Sequence, residues 1–91
     1  MNEVFITGKI VSNIEYKFIV NSKRNTAIAI FSIRINDVIK NNPQNIVVKC
    51  YNDLADFALR KIKKNDNVFI NGKLNSNMEI QCNYISIQIK K

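Results

Sequence analysis

The feature that most constrains the fold is a change of hydrophobic period between residues 45 and 74. Residues 46–51 alternate as a strand does, with Val48 and Cys50 on one face and Lys49 and Tyr51 on the other. Apolar side chains then recur at the spacing of a helix, at Leu54, Phe57, Ala58 and Ile62. A period of two resumes over residues 68–74. The pattern predicts one short helix set between two strands.

Polar residues mark both ends of this predicted helix. Asn52 carries a side-chain oxygen suited to capping the first turn, where the helix dipole also favours Asp53 and Asp56. Basic side chains crowd the C-terminal end, and residues 65–67 (NDN) end the helix; the basic residues are Arg60, Lys61, Lys63 and Lys64.

Alternating apolar side chains predict strands on both sides of the central stretch. A first strand covers residues 4–20 with a break at residues 12–13, and Gly8 permits a sharp bend or a close backbone crossing. A second strand covers residues 26–36, followed by a loop over residues 37–44. After a tight turn at residues 75–77, the last strand runs from Met78 to Ile89. The skipped period between Cys82 and Ile85 predicts a bulge near residues 83–84.

This order of elements predicts an all-β fold with one helix. A five-stranded antiparallel barrel whose short α-helix lies between strands 3 and 4 is the OB-fold arrangement. With 91 residues, the chain is expected to form a single domain over residues 1–91.

Alternation also sorts the aromatic and apolar side chains. Phe18, Phe31 and Phe57 are expected in the interior, whereas Phe5 and Tyr16 are expected in the core or in a subunit contact. The outward face of the second strand is too apolar for simple exposure at Ile28 and Ile30. That face predicts either a subunit contact or a ligand platform, and alternation does not distinguish the two.

Composition limits the function. A net charge of +7 and a pI of about 9.7 favour a polyanionic partner. The sequence has no histidine, and its two cysteines, Cys50 and Cys82, lie far apart at interior positions. We therefore expect buried, reduced thiols, no metal site, no cofactor and no enzymatic activity. No secretory signal and no apolar run of spanning length are evident, which predicts a cytoplasmic protein without a membrane partner.

With the strands assigned, the chain resembles the DNA-binding domain of the bacterial single-stranded-DNA-binding protein family. Five segments in order carry the resemblance, and they cover nearly the whole chain. The segments are residues 2–10 (NEVFITGKI), 15–18 (EYKF), 27–33 (AIAIFSI), 48–55 (VKCYNDLA) and 63–74 (KKNDNVFINGKL). They are similar to the family patterns N-x-V-x-L-x-G-x-L, E-x-R-Y, A-V-A-N-F-S-L, V-x-x-F/W-G-x-L-A and K-K-G-D-x-V-x-I-x-G-x-L.

The chain departs from the family at several places. The loop before the third strand and the hairpin at residues 75–77 are short, and Asn45 stands where a stacking tryptophan is often found. The sequence ends at Lys90-Lys91 without the acidic tail through which family members recruit replication and repair partners. Shortened relatives include the primosomal accessory protein, which binds single strands as a dimer. The resemblance implies sequence-independent binding of single-stranded DNA in replication, recombination or repair, by a dimer or tetramer associated with the nucleoid.

Binding of this kind needs cations for phosphates and aromatic faces for bases. Tyr51 is the predicted stacking residue, and its alternative role is to cover the start of the helix. Lys49 shares the face of Tyr51 and is a predicted phosphate contact. Further candidates on strands and loops are Lys17, Lys23, Arg24, Arg34, Phe69 and Lys73. Lys63 and Lys64 either contact the DNA backbone or complement the helix dipole.

Other functions remain open at this point. An OB barrel with few stacking aromatics also suits a protein-interaction adaptor, as a subunit of a replisome or primosome. RNA binding of the cold-shock kind is disfavoured because the aromatic-rich basic strand of that group is missing. The acidic residues are scattered and form no pair for acid–base catalysis.

Overall fold

The structure is a computed structural model that describes residues 2–21, 23–35 and 44–88. The loop predicted over residues 37–44 lies outside the described residues except for Gln44, which begins a strand. The strands are β1 (Val4–Ile10), β2 (Glu15–Val20), β3 (Asn25–Ile35), β4 (Gln44–Tyr51), β5 (Asn67–Leu74) and β6 (Ile80–Gln88), and the helix α1 (Asp53–Lys61) lies between β4 and β5.

The first two strands behave as one strand that is interrupted. β2 pairs with the first half of β3, from Asn25 to Ile30, and the end of β1 pairs with Ile33 and Arg34 farther along the same edge. The interruption between β1 and β2 contains the predicted break at residues 12–13. Counted this way, five strands and one helix form a closed barrel, which confirms the predicted OB-fold.

The sheet runs in the order β1-β5-β6-β4-β3-β2, and the β1–β3 pairing closes it. One pairing differs from the fully antiparallel sheet that was predicted, because β4 and β6 run parallel where Val48 pairs with Ile80. The chain between them passes through α1 and then through β5, which is antiparallel to β6. Two reversals of direction therefore bring β6 alongside β4 in the same sense.

Gly8 marks the point where β1 crosses β3. A Cβ atom on Gly8 would lie 2.8 Å from the carbonyl oxygen of Arg34, closer than real Cβ contacts come. The close backbone crossing predicted at this glycine is confirmed, and it allows β1 to turn from β5 toward β3.

The core consists of inward side chains from the barrel strands and one face of α1. Its largest fully buried side chains are Phe31, Ile10, Ile33, Ile70, Ile80, Val48, Val68 and Cys50. Phe57 is half-buried against this core, but the interior placement of Phe18 is wrong, since it is 56% exposed. Phe18 has the inward parity of Tyr16, but it lies near the end of an edge strand, where the alternation continues past the core.

The start of α1 differs from the prediction. Asn52 is the N-cap residue with φ 55° and ψ −116°, and within the described chain its side chain makes no capping bond to the helix. Instead, its Oδ1 accepts a 3.3 Å hydrogen bond from the Ala27 N–H, and its own N–H donates to the Ala27 carbonyl at 2.8 Å. This backbone conformation turns the amide toward β3. Asp53 and Asp56 lie in the first turn as predicted.

The hairpin between β5 and β6 confirms two predictions. Asn71 pairs with Tyr84 and Gly72 pairs with Cys82, so that Asn83 is the extra residue of a bulge. The turn at residues 75–77 is closed by Asn75, whose Oδ1 accepts bonds from the N–H groups of Asn77 and Glu79.

Candidate nucleic-acid interface

The outward side chains of β2, β3 and β4 form one continuous surface, here called the β2–β3–β4 face. Strand register places Lys17 opposite Ile28, and Ile28 opposite Tyr51. The next row along the strands contains Glu15, Ile30 and Lys49. An apolar strip from β3 therefore runs between Lys17 and Glu15 of β2 on one side and Tyr51 and Lys49 of β4 on the other.

Tyr51 is half-buried at the end of β4, directly before the N-cap of α1. It shares its outward parity with Lys49 and lies across from Ile28, on the strand next to β4. A ring at this position offers part of its surface to a ligand on the β2–β3–β4 face. The assignment of Tyr51 as a stacking residue stays a prediction.

Lys49 is not a free cation in this structure. Its Nζ lies 3.1 Å from Oε1 of Glu79, and the side chains of Lys49 and Glu79 are 29% and 21% exposed. Gln81 pairs with Lys49 on one side and with Lys73 of β5 on the other. The row through Lys49 therefore continues across β6 and brings Lys73 to the edge of the same surface.

Two further groups of predicted cations lie at the ends of β3. Lys23 and Arg24 are exposed in the β2–β3 hairpin, where both backbone N–H groups donate to Oδ1 of Asn21 at 2.9 Å and 2.8 Å. Arg34 is exposed near the other end of β3 and pairs with Lys9 of β1. Positive charge thus flanks the apolar strip at both ends.

The remaining predicted residues lie elsewhere. Phe69 belongs to β5 and contacts Phe5 and Tyr84, with ring centroids 6.3 Å apart in both pairs. This aromatic row crosses the outer surface of β1, β5 and β6, so it is separate from Tyr51 on β4. Lys63 and Lys64 are exposed after α1, where the Lys63 N–H donates to Asp66 Oδ2 at 3.0 Å.

The two cysteines lie beside each other in the core and are not part of the β2–β3–β4 face. Cys50 and Cys82 follow the paired residues Val48 and Ile80 on adjacent parallel strands, and both thiols are free and buried. The hydrogen bond with Cys82 and burial raise the pKa of the Cys50 thiol well above its ordinary value. A neutral thiol is therefore expected at Cys50.

No group of three or more histidine, cysteine, aspartate or glutamate side chains comes together for a metal ion within residues 2–21, 23–35 and 44–88. Across the same residues, no helix has both the length and the apolar character needed to cross a bilayer.

The match to a family model decides which family the chain belongs to. The model of the single-strand binding protein family matches residues 1–84. The chain belongs to the single-strand binding protein family. Among curated protein sequences, none matches this member of the family.

Solved structures share the same fold at low sequence identity. The SSB domain of a protein from Synechococcus sp. has a TM-score of 0.83 and 16% identity, with 93% of each chain covered. The single-stranded DNA binding protein from Thermus aquaticus has a TM-score of 0.81 and 16% identity, and the match covers all of this chain and 42% of that one. The N-terminal domain of PriB from Thermoanaerobacter tencongensis, described as dimeric, has a TM-score of 0.78 and 17% identity over 98% of both chains.

Sequence reasoning missed three parts of this family member's surface. Lys9 carries the outward parity of Phe5, but its position beside Arg34 depends on the β1–β3 crossing. Tyr84 joins Phe69 only because the bulge at Asn83 changes the parity of β6. The pairing of Lys49 with Glu79 has no local sequence signal, because Lys49 lies on β4 and Glu79 lies in the turn before β6.

Proposed function

We propose that this protein binds single-stranded DNA through the β2–β3–β4 face, largely without sequence preference and without catalysing a reaction. The observation that carries the proposal is the register that sets Tyr51, Ile28 and Lys17 side by side on one outer surface. Membership of the single-strand binding protein family supports the same ligand.

In the proposed mechanism, an aromatic side chain binds a base and cationic side chains bind phosphates. A base stacks on the ring of Tyr51, with Ile28 and Ile30 supplying apolar surface beside it. Such stacking contributes about 1–3 kcal/mol per base and tolerates any base, because every base has a π face. Lys17, Arg34 and the hairpin cations Lys23 and Arg24 bind phosphates, so the affinity depends on salt.

The proposal extends to the biological setting. A protein that covers unpaired DNA without chemistry serves replication, recombination or repair, acting as one domain over residues 1–91 in the cytoplasm at the nucleoid. Replication or primosome proteins are the partners that suit this role.

We also propose that the protein self-associates as a dimer or tetramer. Phe5 is 65% exposed, and it stacks on Phe69 at the outer surface of the barrel. Residues 4–8 of β1 pair with β5 along one edge, and among the described strands none covers their other edge. An exposed aromatic beside an open strand edge is a favourable place for a second copy to bind. The PriB domain of similar fold is dimeric.

Fluorescence anisotropy of labelled oligo-dT at two salt concentrations tests the DNA-binding proposal. The wild type should bind more tightly at low salt, and Tyr51→Ala should weaken binding about tenfold or more, as expected for loss of one stacked base. Tyr51→Phe is the matched control, because it keeps the ring and should retain most of the affinity. Equal losses in both variants would contradict stacking on Tyr51.

One observation favours the second candidate function, a protein-interaction adaptor. Phe18, Ile19 and Val20 are exposed at the end of β2, which is an edge strand of the sheet. An apolar edge strand is suited to pairing with an extended segment of another protein. Weak oligo-dT binding that responds neither to salt nor to Tyr51→Ala would support the adaptor and contradict DNA binding.

A further inference from the structure

Lys49 lies on the proposed DNA-binding face, yet it already has an anionic partner. Its Nζ and Oε1 of Glu79 are 3.1 Å apart, and both side chains are largely shielded from solvent. Glu79 directly precedes β6, at the end of the turn that follows β5. The carboxylate thus comes from an element next to the face rather than from the face itself.

The position of Glu79 is fixed by bonds to Asn75. The Asn75 side-chain amide donates to Oε1 of Glu79 at 3.1 Å, and Asn75 Oδ1 accepts from the Glu79 N–H at 3.0 Å. The Asn75 N–H also donates to the Glu79 carbonyl at 2.9 Å. Two of these bonds fix the backbone of Glu79, and the third holds Oε1, the same carboxylate oxygen that contacts Lys49.

The charge state of this carboxylate follows from the same contacts. Hydrogen bonding from Asn75, and then from Lys49, lowers the pKa of Glu79 below its ordinary value. Glu79 is therefore ionised at neutral pH, and in the free protein it neutralises the lysine nearest to Tyr51 along β4.

We propose that Glu79 is a built-in competitor for phosphate at Lys49, which lowers the affinity for single-stranded DNA. This inference rests on the proposed function. A phosphate that reaches Lys49 must displace a carboxylate that Asn75 keeps close by, and the displaced carboxylate then repels it. The free-energy cost of this displacement is the same for every strand that reaches Lys49, whatever its length.

The test uses Glu79→Gln, which removes the charge but keeps an oxygen that accepts from Asn75. The full chain is titrated with labelled oligo-dT of a short and a longer length at several salt concentrations. Affinity should rise about two- to fivefold, the range expected when an ion pair at a surface no longer has to be broken. The gain should be similar for the short and the longer oligonucleotide, and the salt slope should steepen by about 0.7, because Lys49 without its carboxylate partner releases a counterion when phosphate binds.

Asp66→Asn is the matched control for the charge change. Asp66 directly precedes β5, whereas Lys73 lies near the far end of that strand, so the two residues are about 23 Å apart at roughly 3.3 Å per residue. This variant should change affinity little. In the double variant Lys49→Gln/Glu79→Gln, the gain from Glu79→Gln should disappear, because the carboxylate acts through Lys49.

The outcomes separate this inference from the proposed function. If the wild type fails to bind oligo-dT in a salt-dependent way, the proposed function is overturned. Suppose that the wild type binds oligo-dT, but that Glu79→Gln has the same affinity as Asp66→Asn or a lower affinity than the wild type. Competition by Glu79 is then overturned, while the proposed function stands. A gain that persists without Lys49 would also overturn it.

Discussion

The hydroxyl of Tyr16 on β2 donates a 2.8 Å hydrogen bond to Oδ1 of Asp56 on α1. This bond joins an edge strand to the helix through two residues that lie 40 positions apart in the chain. It raises the pKa of Tyr16 above 10.0, because the bonded phenol would have to give up its proton beside a carboxylate. The bond therefore favours the protonated phenol and adds a contact with the helix to the pairing that holds β2 against β3.

Replacing Tyr16 by Phe should change how stability depends on pH. A phenol whose pKa is raised in the folded protein stabilises it fully below pH 10.0, the unfolded value, and this contribution is lost as pH rises through the folded pKa. The free energy of unfolding should thus fall more steeply above that pH in the wild type than in Tyr16→Phe.

Urea denaturation at about pH 8 and about pH 10.5 measures the difference. Tyr84→Phe is the control, since this tyrosine is exposed and lies on β6, away from Asp56. Identical pH profiles for the wild type and Tyr16→Phe would show that the Asp56 bond does not affect stability.

Arg34→Gln should weaken oligo-dT binding and flatten its salt dependence by about 0.7 per phosphate contact removed. Arg60→Gln is the matched control, because Arg60 lies in the last turn of α1 and its Nε donates to the Asp56 carbonyl. Comparable losses in both variants would mean that net charge, rather than the β2–β3–β4 face, determines affinity. Anisotropy titrations over a range of salt concentrations distinguish these results.

Asn52 adopts φ 55° and ψ −116°, a backbone conformation that residues other than glycine rarely adopt. Asn52→Gly and Asn52→Ala both lose the bond from the Ala27 N–H to Oδ1. Comparing the two variants therefore isolates the backbone strain. Asn52→Gly should be more stable than Asn52→Ala by about 1–3 kcal/mol in urea denaturation. Equal stability of the two would contradict strain at this N-cap residue.

The thiols of Cys50 and Cys82 should resist alkylation in the folded protein. Both thiols are buried, which shields them from the reagent. The hydrogen bond from the thiol of Cys82, together with burial, also raises the pKa of Cys50, which leaves little Cys50 thiolate to react. Iodoacetamide at neutral pH should modify them once urea unfolds the chain, with mass spectrometry as the readout. Ser76→Cys, in an exposed turn, provides a reactive control. If Cys50 in native buffer reacts as fast as the cysteine introduced by Ser76→Cys, the burial of Cys50 is contradicted.

Much of the fold could be predicted because the spacing of the apolar residues along the sequence matches the buried face of each strand and of the helix. The helix at residues 53–61, the bulge at Asn83 and the turn at residues 75–77 each have a local signal. Phe18 was misplaced because alternation defines a face but not where the core beneath that face ends. The side chain of Asn52 was misassigned because its alternative partner, Ala27, lies on a distant strand.

The candidate site was predictable to a smaller extent. Parity alone assigns Lys17, Lys49 and Tyr51 to outward positions, and strand pairing then brings them together. Parity assigns Phe69 outward as well, but strand order sets it beside Phe5 and Tyr84, with β6 between its strand and that of Tyr51. Relations of this kind depend on strand order and register, which no single segment of the sequence specifies.

The pairing of β1 with β5 has a consequence for how the protein is made. Val4 pairs with Gly72, so a strand that is made early in this chain is completed by one that is made much later. Contacts so distant in sequence slow folding, because a long loop must close before they form. During synthesis, the end of β1 can already pair with β3, but residues 4–8 have no strand partner until β5 emerges, and this unpaired strand favours aggregation of the nascent chain.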